Sequence, residues 1–410
     1  MRVKSYVGSL SILTSLFFIW GFITCLNDIL IPHLKAVFEL NYTQAMLVQL
    51  CFFTAYFLIS IPSGLLIEKI GYKSGIVCGL LVAGIGCALF YPAAAYHQYL
   101  LFLFALFVLA SGITLLQVAA NPYVTVLGPS ETASSRLTLT QAFNSLGTAI
   151  APFLGSMWIL AAPVKTSAEI QTLSVDELTA YQALEAASVQ NPYLMIALVL
   201  WLLSIVFLYL KLPEPTEVST SINNHQESSA WQHLSLKLGV LAIFLYVGAE
   251  VAIGSFMVSF LNHKDIADLS TEDAGQLVSF YWGGAMVGRF VGAWLMQYFR
   301  AAKVLAVHAL VACILVLIAS QTSGELAKWS LLSVGLCNSI MFPTIFSMAI
   351  QGLGPQSGEG SGYLCSAIVG GAIVPVLQGL LADHWGLQAA LILPAICYAY
   401  IVYYGWHFHG

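Results

Sequence analysis

Charge is what this chain has least of. Among 410 residues, 14 are Lys or Arg and 19 are Asp or Glu, 8% in all, where an ordinary soluble domain carries about 25%. So little polarity cannot cover a body of this size in water, which excludes a soluble globule. With 59% apolar residues the chain is too hydrophobic to stay disordered. The bases form no run and the net charge is −5, so nucleic acid is not expected as a partner. The eight cysteines (Cys25, Cys51, Cys78, Cys87, Cys313, Cys337, Cys365 and Cys397) lie inside apolar stretches. They read as small packing residues rather than bridges or metal ligands. No P-loop, HExxH, CxxC or GxSxG elbow is present, so neither an ATP-driven pump nor an enzyme is indicated, and no cofactor is expected. The apolar runs are continuous rather than alternating, which argues against an outer-membrane barrel. The first of them is long and carries Asn27 and Asp28, unlike a cleavable signal.

What is there is apolar length. A spanning helix needs about 20 apolar residues, and twelve candidates follow: 8–33, 43–67, 74–96, 99–127, 135–162, 192–211, 236–261, 274–298, 302–321, 326–351, 360–382 and 387–406. Pro122 and Pro343 stand near the ends of the fourth and tenth, whose last turns are expected to bend. With a cytoplasmic N-terminus, the inner side carries Arg2, Lys4, Lys69, Lys73, Arg136, Lys211, Lys237, Arg300 and Lys303. The outer side carries Lys35, Lys165, Lys264 and Lys328, and Arg289 is embedded. That bias places both termini inside. Residues 163–191 form a polar outer loop, with a short surface helix begun by Ser174 and Asp176. Residues 212–234 are rich in Pro, Ser and Asn, which suits a flexible cytoplasmic linker. The expected organisation is an N-terminal six-helix bundle over 1–211, the linker over 212–234, and a C-terminal six-helix bundle over 235–410.

The halves echo one another, as duplicated transporters do. Gln117 stands five residues before Pro122, and Asn338 stands five before Pro343. The turn after span 2 reads GLLIEKIGYKSG, and that after span 8 reads GRFVGAWLMQYFRAAKV. The first resembles the signature G-x-x-x-[DE]-x-x-G-x-[RK] of the major facilitator superfamily, here Gly64, Glu68, Gly71 and Lys73. The resemblance implies a cytoplasmic gate, with the acid and base tying helix ends together. The second copy has Met296 where the acid would stand. Arg289 is read as part of the inner gate.

An ionisable residue inside a span costs about 2.5–3.5 kcal/mol or more and is a functional candidate by default. Asp28 in span 1 and Glu250 in span 7 are the two acids of that kind, whereas His308 near the inner end of span 9 reads as structural. Gln117 and Asn121 share one face of span 4, Gln141 and Asn144 share one face of span 5, and Asn338 lies mid-span 10. Amides donate and accept, so such a set suits a polyhydroxylated ligand. Amides also hold helices together in lipid. Tyr281 and Trp282, with Trp20, offer apolar ring faces to sugar C–H groups.

Several stretches together resemble the fucose permease and glucose/galactose porter family of that superfamily: LNDILIPHLK, GITLLQVAANPYVTVLGP, RLTLTQAFNSLGT, YVGAEVAIGSF and FPTIFSMAI. They are spread over nearly the whole chain. The resemblance implies an all-α polytopic membrane protein of twelve transmembrane helices in two pseudo-symmetric six-helix bundles. It further implies symport of a neutral hexose with a cation across the bacterial inner membrane. Proton-coupled fucose permeases carry Glu just before AANP. Here that residue is Gln117, as in glucose/galactose-type members, and Gln cannot release a proton. Asp28 is then the coupling candidate, with Glu250 as a sugar donor or a second coupling carboxylate. A sodium ion near Asp28 would draw oxygens from Asn27, Gln117 or Asn121, and proton and sodium stay open. The expected partners are a small sugar and the lipid bilayer, and the expected working unit is a monomer. The alternatives are a fucose or N-acetylhexosamine symporter, or a lipid or drug exporter with a wide apolar cavity.

Overall fold

The computed structural model describes the backbone of residues 3–38, 42–96, 98–158, 174–210, 212 and 229–407. The side chains of residues 3–7, 26–38, 42–49, 152–158, 175–176, 178–179, 182–189 and 271–272 lie outside what it describes. Among the described residues there are helices and turns and no strand. The helices are α1 Val3–Phe38, α2 Tyr42–Ile70, α3 Tyr72–Ala95, α4 Tyr99–Val126, α5 Ala133–Trp158 and α6 Val175–Tyr209. After the linker come α7 Leu234–Leu261, α8 Thr271–Leu295, α9 Ala301–Gln321, α10 Gly324–Asn338, α11 Met341–Ile350, α12 Ser357–Ser366, α13 Gly370–Trp385, α14 Leu387–Ala390 and α15 Ile392–His407.

Within the described residues the twelve expected spans fall on these helices, and residues 159–162 and 211 of the fifth and sixth lie outside them. Ten helical stretches among the described residues are long and apolar enough to cross a membrane. The other two spans, on α5 and α8, are 26 and 25 residues long. They are diluted by polar residues, among them Gln141, Asn144 and Arg289. Length is retained because a helix satisfies its own backbone wherever it lies in lipid.

Two spans are interrupted. Span 10 is α10 and α11 with Ser339 and Ile340 between them, and span 11 is α12 and α13 joined by a 3-10 turn at Ala367–Val369. The break in span 10 precedes Pro343, whereas α4 runs through Pro122 to Val126. The short surface helix expected near Ser174 is instead the first part of α6, which continues through Pro192 to Tyr209. Ser174 caps it in a capping box with Glu177, which satisfies two open backbone donors at once.

Small residues bring the helices together. A Cβ on Gly147 of α5 would overlap the Phe18 carbonyl of α1, and one on Gly335 of α10 would overlap the Tyr281 carbonyl of α8. Without a side chain there, backbones approach closely, the usual route to packing in lipid. Gly71 joins α2 to α3 at φ 82°, a conformation L side chains rarely adopt.

The chain packs as two compact units. One comprises Ser15–Ala120 and Phe143–Leu212. The other comprises Met1–Thr14, Asn121–Ala142 and Pro213–Gly410. Within the second, the start of α5 is tied to later helices by Ser134 Oγ to Ser347 Oγ at 2.6 Å and by Ser135 Oγ donating to the Ala293 carbonyl at 2.6 Å.

Candidate functional site

Asn338 is the hub of a buried polar network. It is the last residue of α10 and is fully buried. Its Nδ2 donates to Tyr281 Oη on α8 at 2.7 Å, and its Oδ1 accepts from Tyr398 Oη on α15 at 2.7 Å. Tyr281 Oη in turn donates to the Glu250 carbonyl on α7 at 3.2 Å. Tyr246 Oη donates to the Asn338 carbonyl at 3.2 Å, and Arg289 Nε donates to the Ser339 carbonyl at 3.2 Å. The Glu250 side chain is partly buried. Four helices, α7, α8, α10 and α15, therefore bring their polar groups to one place. In a water-poor interior each bond is strong and each omission costly.

Tyr281 and Trp282 do not form one flat face. Tyr281 is buried in the network, while the ring of Trp282 stands at 81° to it and lies against Gly254 of α7. Arg289, expected as part of the inner gate, donates to the Ser339 carbonyl at the span 10 break.

The amides of the earlier helices are engaged differently. Gln117 Oε1 accepts from Tyr56 Oη at 2.8 Å, joining α4 to α2, and both residues are buried. Gln141 Nε2 reaches Asn121 Oδ1 at 3.4 Å, joining α5 to α4. Asn121 Nδ2 and Thr138 Oγ1, both buried, have no hydrogen-bond partner. Asn144 Nδ2 donates to the Phe17 carbonyl at 2.9 Å, at the point where Gly21 and Gly147 let α1 and α5 touch. Trp20 lines a small apolar cavity with Leu16, Ile23, Leu80 and Leu116, without the hydrogen-bonding groups a sugar needs. Asn27 and Asp28 fall on the backbone of α1, and their side chains lie outside the described residues.

At the signature turn, Lys73 Nζ donates to the Leu208 carbonyl at 2.8 Å. A cation near the end of α6 is favourable because carbonyls gather there. Gly64 is buried and Glu68 is exposed. Sequence reasoning missed Arg136 as more than an inner charge. Its buried guanidinium donates to the carbonyls of Val124, Thr125 and Pro129, closing the turn between α4 and α5. The available signal was a single Arg just after the Gly128–Pro129 turn, where the end of α4 leaves carbonyls without helical donors. Tyr246, Tyr398 and Tyr56 were also missed. Among the described residues no group of His, Cys, Asp or Glu is arranged to hold a metal ion.

The family model of the Major Facilitator Superfamily matches residues 12–364. A glucose/galactose transporter of Brucella abortus biovar 1 (strain 9-941) is 57% identical over 402 residues, covering 98% of this chain and 94% of that protein. An L-fucose-proton symporter of Escherichia coli (strain K12) is 36% identical over 416 residues, covering 97% and 92%. A crystal structure of the transporter FucP in the outward conformation superposes with a TM-score of 0.93 at 36% identity, covering 98% of this chain and 99% of that one.

Proposed function

The chain belongs to the major facilitator superfamily, and from that premise we propose that it imports a neutral hexose with a cation by alternating access. The observation that carries this reading is the whole-length likeness to a glucose/galactose transporter. A sugar of glucose or galactose type is therefore the substrate. The buried polar groups agree with it: among the described residues amides and hydroxyls dominate, and Arg136 and Arg289 both donate to backbone carbonyls. An organic anion would call for a free cation.

In this reading Gln117, Asn121 and Gln141 offer the sugar donors and acceptors, together with Asn27 of α1. Asn121 Nδ2 is the donor still without a partner. Tyr281 and Trp282 are the aromatic residues proposed to meet sugar C–H groups. Asn144 and Asn338 hold helices in place around the sugar. The relatives described as proton symporters favour a proton as the coupling ion. Asp28 carries it, since Gln117 has nothing to ionise, and Glu250 donates to a sugar hydroxyl. The protein works as a monomer of two six-helix halves, 1–211 and 235–410, in the bacterial inner membrane with both termini cytoplasmic. Gly64, Glu68, Gly71 and Lys73 brace its cytoplasmic gate.

The test is uptake of a panel of labelled hexoses into vesicles under separate proton and sodium gradients. Glucose or galactose accumulation driven by a proton gradient is expected. Accumulation of fucose or an N-acetylhexosamine instead, or dependence on sodium alone, would replace the corresponding part of the proposal.

A further inference from the structure

Ser134 and Ser135 stand side by side in the first turn of α5, and both are buried. Consecutive residues of a helix point about 100° apart, so their hydroxyls reach different neighbours. Ser135 Oγ donates to the Ala293 carbonyl near the end of α8 at 2.6 Å. That carbonyl lacks its helical donor, because the Gln297 N–H four residues on goes to the Trp294 carbonyl instead, and an open carbonyl at a buried helix end needs a partner. Ser134 Oγ lies 2.6 Å from Ser347 Oγ on α11. Ser347 gives its own proton to the Thr344 carbonyl at 3.0 Å. A hydroxyl has one proton to give, so Ser134 is the donor of the pair. The Arg136 guanidinium donates to the Thr125 and Pro129 carbonyls at 2.8 and 2.7 Å. It thereby holds the turn that leads into α5 and aims both serines. No charged group takes part in either serine contact. Met296, which stands where a second signature acid would be, packs against Val304 and Ile340 and accepts from Thr344 Oγ1 at 3.4 Å.

We propose that Ser134 and Ser135 are positioning residues that tie the inner end of α5 to α8 and α11 as a neutral latch, which parts each time the transporter opens to the cytoplasm. This rests on the alternating-access reading with cytoplasmic termini, which puts the start of α5 on the inner side. In sequence α5 belongs to the first half, and α8 and α11 to the second. Rocking one half against the other, as alternating access requires, has to break both bonds. Hydroxyls suit a contact that parts in every cycle. Water replaces such a bond when it opens, so its net worth is small, whereas parting a buried ion pair leaves charges that must be solvated. The two serines are not equal. Losing the Ser135 donor leaves the buried Ala293 carbonyl open, while losing Ser134 leaves Ser347 still bonded to Thr344. Ser135 is therefore the stronger half of the latch.

The test uses the full-length protein in sugar-free membrane vesicles of known sidedness. Thr138 is fully buried and lies one turn further along the Ser134 face of α5, so Thr138→Cys places a reporter thiol behind the latch. Its labelling by a membrane-impermeant maleimide is counted above that of the eight native cysteines. Adding Ser134→Ala and Ser135→Ala together is expected to raise labelling from the cytoplasmic side by about tenfold, with no rise from the outer side. Ser135→Ala alone should have the larger share of that effect. Unchanged cytoplasmic labelling, or an equal rise from both sides, which marks general loosening, overturns the proposal. If the variants that open the Ala293 carbonyl do not fold, Ser134→Ala, which leaves no buried group unpaired, decides alone with a rise of about threefold from the cytoplasmic side only. No sugar is present, so a failure to transport any hexose would overturn the symport reading and leave the labelling result standing.

Discussion

Helix α4 carries Gln117 five residues before Pro122 and stays helical from Tyr99 to Val126, whereas α10 carries Asn338 five residues before Pro343 and stops at Asn338. The same short pattern is continuous in one place and broken in the other. Proline alone is therefore not the cause. The difference lies in what stands opposite. Near the break, Arg289 follows Gly288, and its guanidinium takes the carbonyl that Pro343 leaves without a donor. At the corresponding place after Gly64 the chain has Leu65, with no donor to give. Tyr246 and Tyr398 add further bonds around Asn338, while Gln117 is held by Tyr56. A break is tolerated in lipid only where protein re-satisfies the backbone, and at α10 the side chains of Arg289 and Tyr246 do so.

Neither copy of the pattern carries an acid, and the proposal places coupling on α1, with Glu250 on α7 as the other carboxylate to test. The largest effect is expected from Asp28→Asn. It should abolish accumulation of sugar against a gradient and leave counterflow measurable, because an amide cannot change charge as the site alternates. Several-fold accumulation by the variant would move coupling away from the α4 side.

Glu250 sharpens the same question from the α10 side. Glu250→Gln keeps a donor for a sugar hydroxyl and is expected to keep cation-driven uptake, whereas Glu250→Ala should lose binding. Loss of driven uptake in Glu250→Gln with counterflow intact would instead make it a second coupling carboxylate.

The two amides themselves should part company. Removing one partner of a buried hydrogen bond costs about 1–3 kcal/mol. For Gln117→Ala that cost should appear mainly in sugar affinity, as a loss of about ten- to a hundredfold, with a smaller loss of stability because one tyrosine hydroxyl, that of Tyr56, loses its partner. For Asn338→Ala it should appear in the melting temperature, since two tyrosine hydroxyls lose their partner and α8 and α15 lose their tie to α10. Equal affinity losses at unchanged melting temperature would erase the distinction.

Most of the frame was legible in the sequence because span length and continuous apolarity are local properties. Even α5 and α8, diluted by Gln141, Asn144 and Arg289, kept enough apolar length to be read as spans. The network was not legible for a physical reason. Tyr246 and Tyr398 are two of 19 tyrosines, and each bonds to Asn338 across a separation of 92 and 60 residues. Only packing selects them. Arg136 was read as an inner charge because its acceptors are backbone carbonyls, which every residue has. The break at Ser339 was missed because Pro343 predicts a bend near itself, while the donor that opens the chain before it comes from another helix.

The smallest expected effect separates the two prolines. Pro122 lies inside α4, where a missing N–H and the ring's clash with the preceding turn cost as much as about 3 kcal/mol. Pro122→Ala restores that N–H in a segment already helical, so it should raise the melting temperature measurably. Pro343 is the third residue of α11. An N–H in the first turn has no partner within its own helix, so the proline there removes little. The carbonyl that a restored N–H would seek, that of Ser339, is already held by Arg289. Pro343→Ala should therefore change stability by less than about 1 kcal/mol, well below the cost of proline in a helix interior. Thermal unfolding of the two variants side by side is the measurement. Equal gains would mean that Pro343 holds the break open by itself, and that Arg289 only fills the place the proline left.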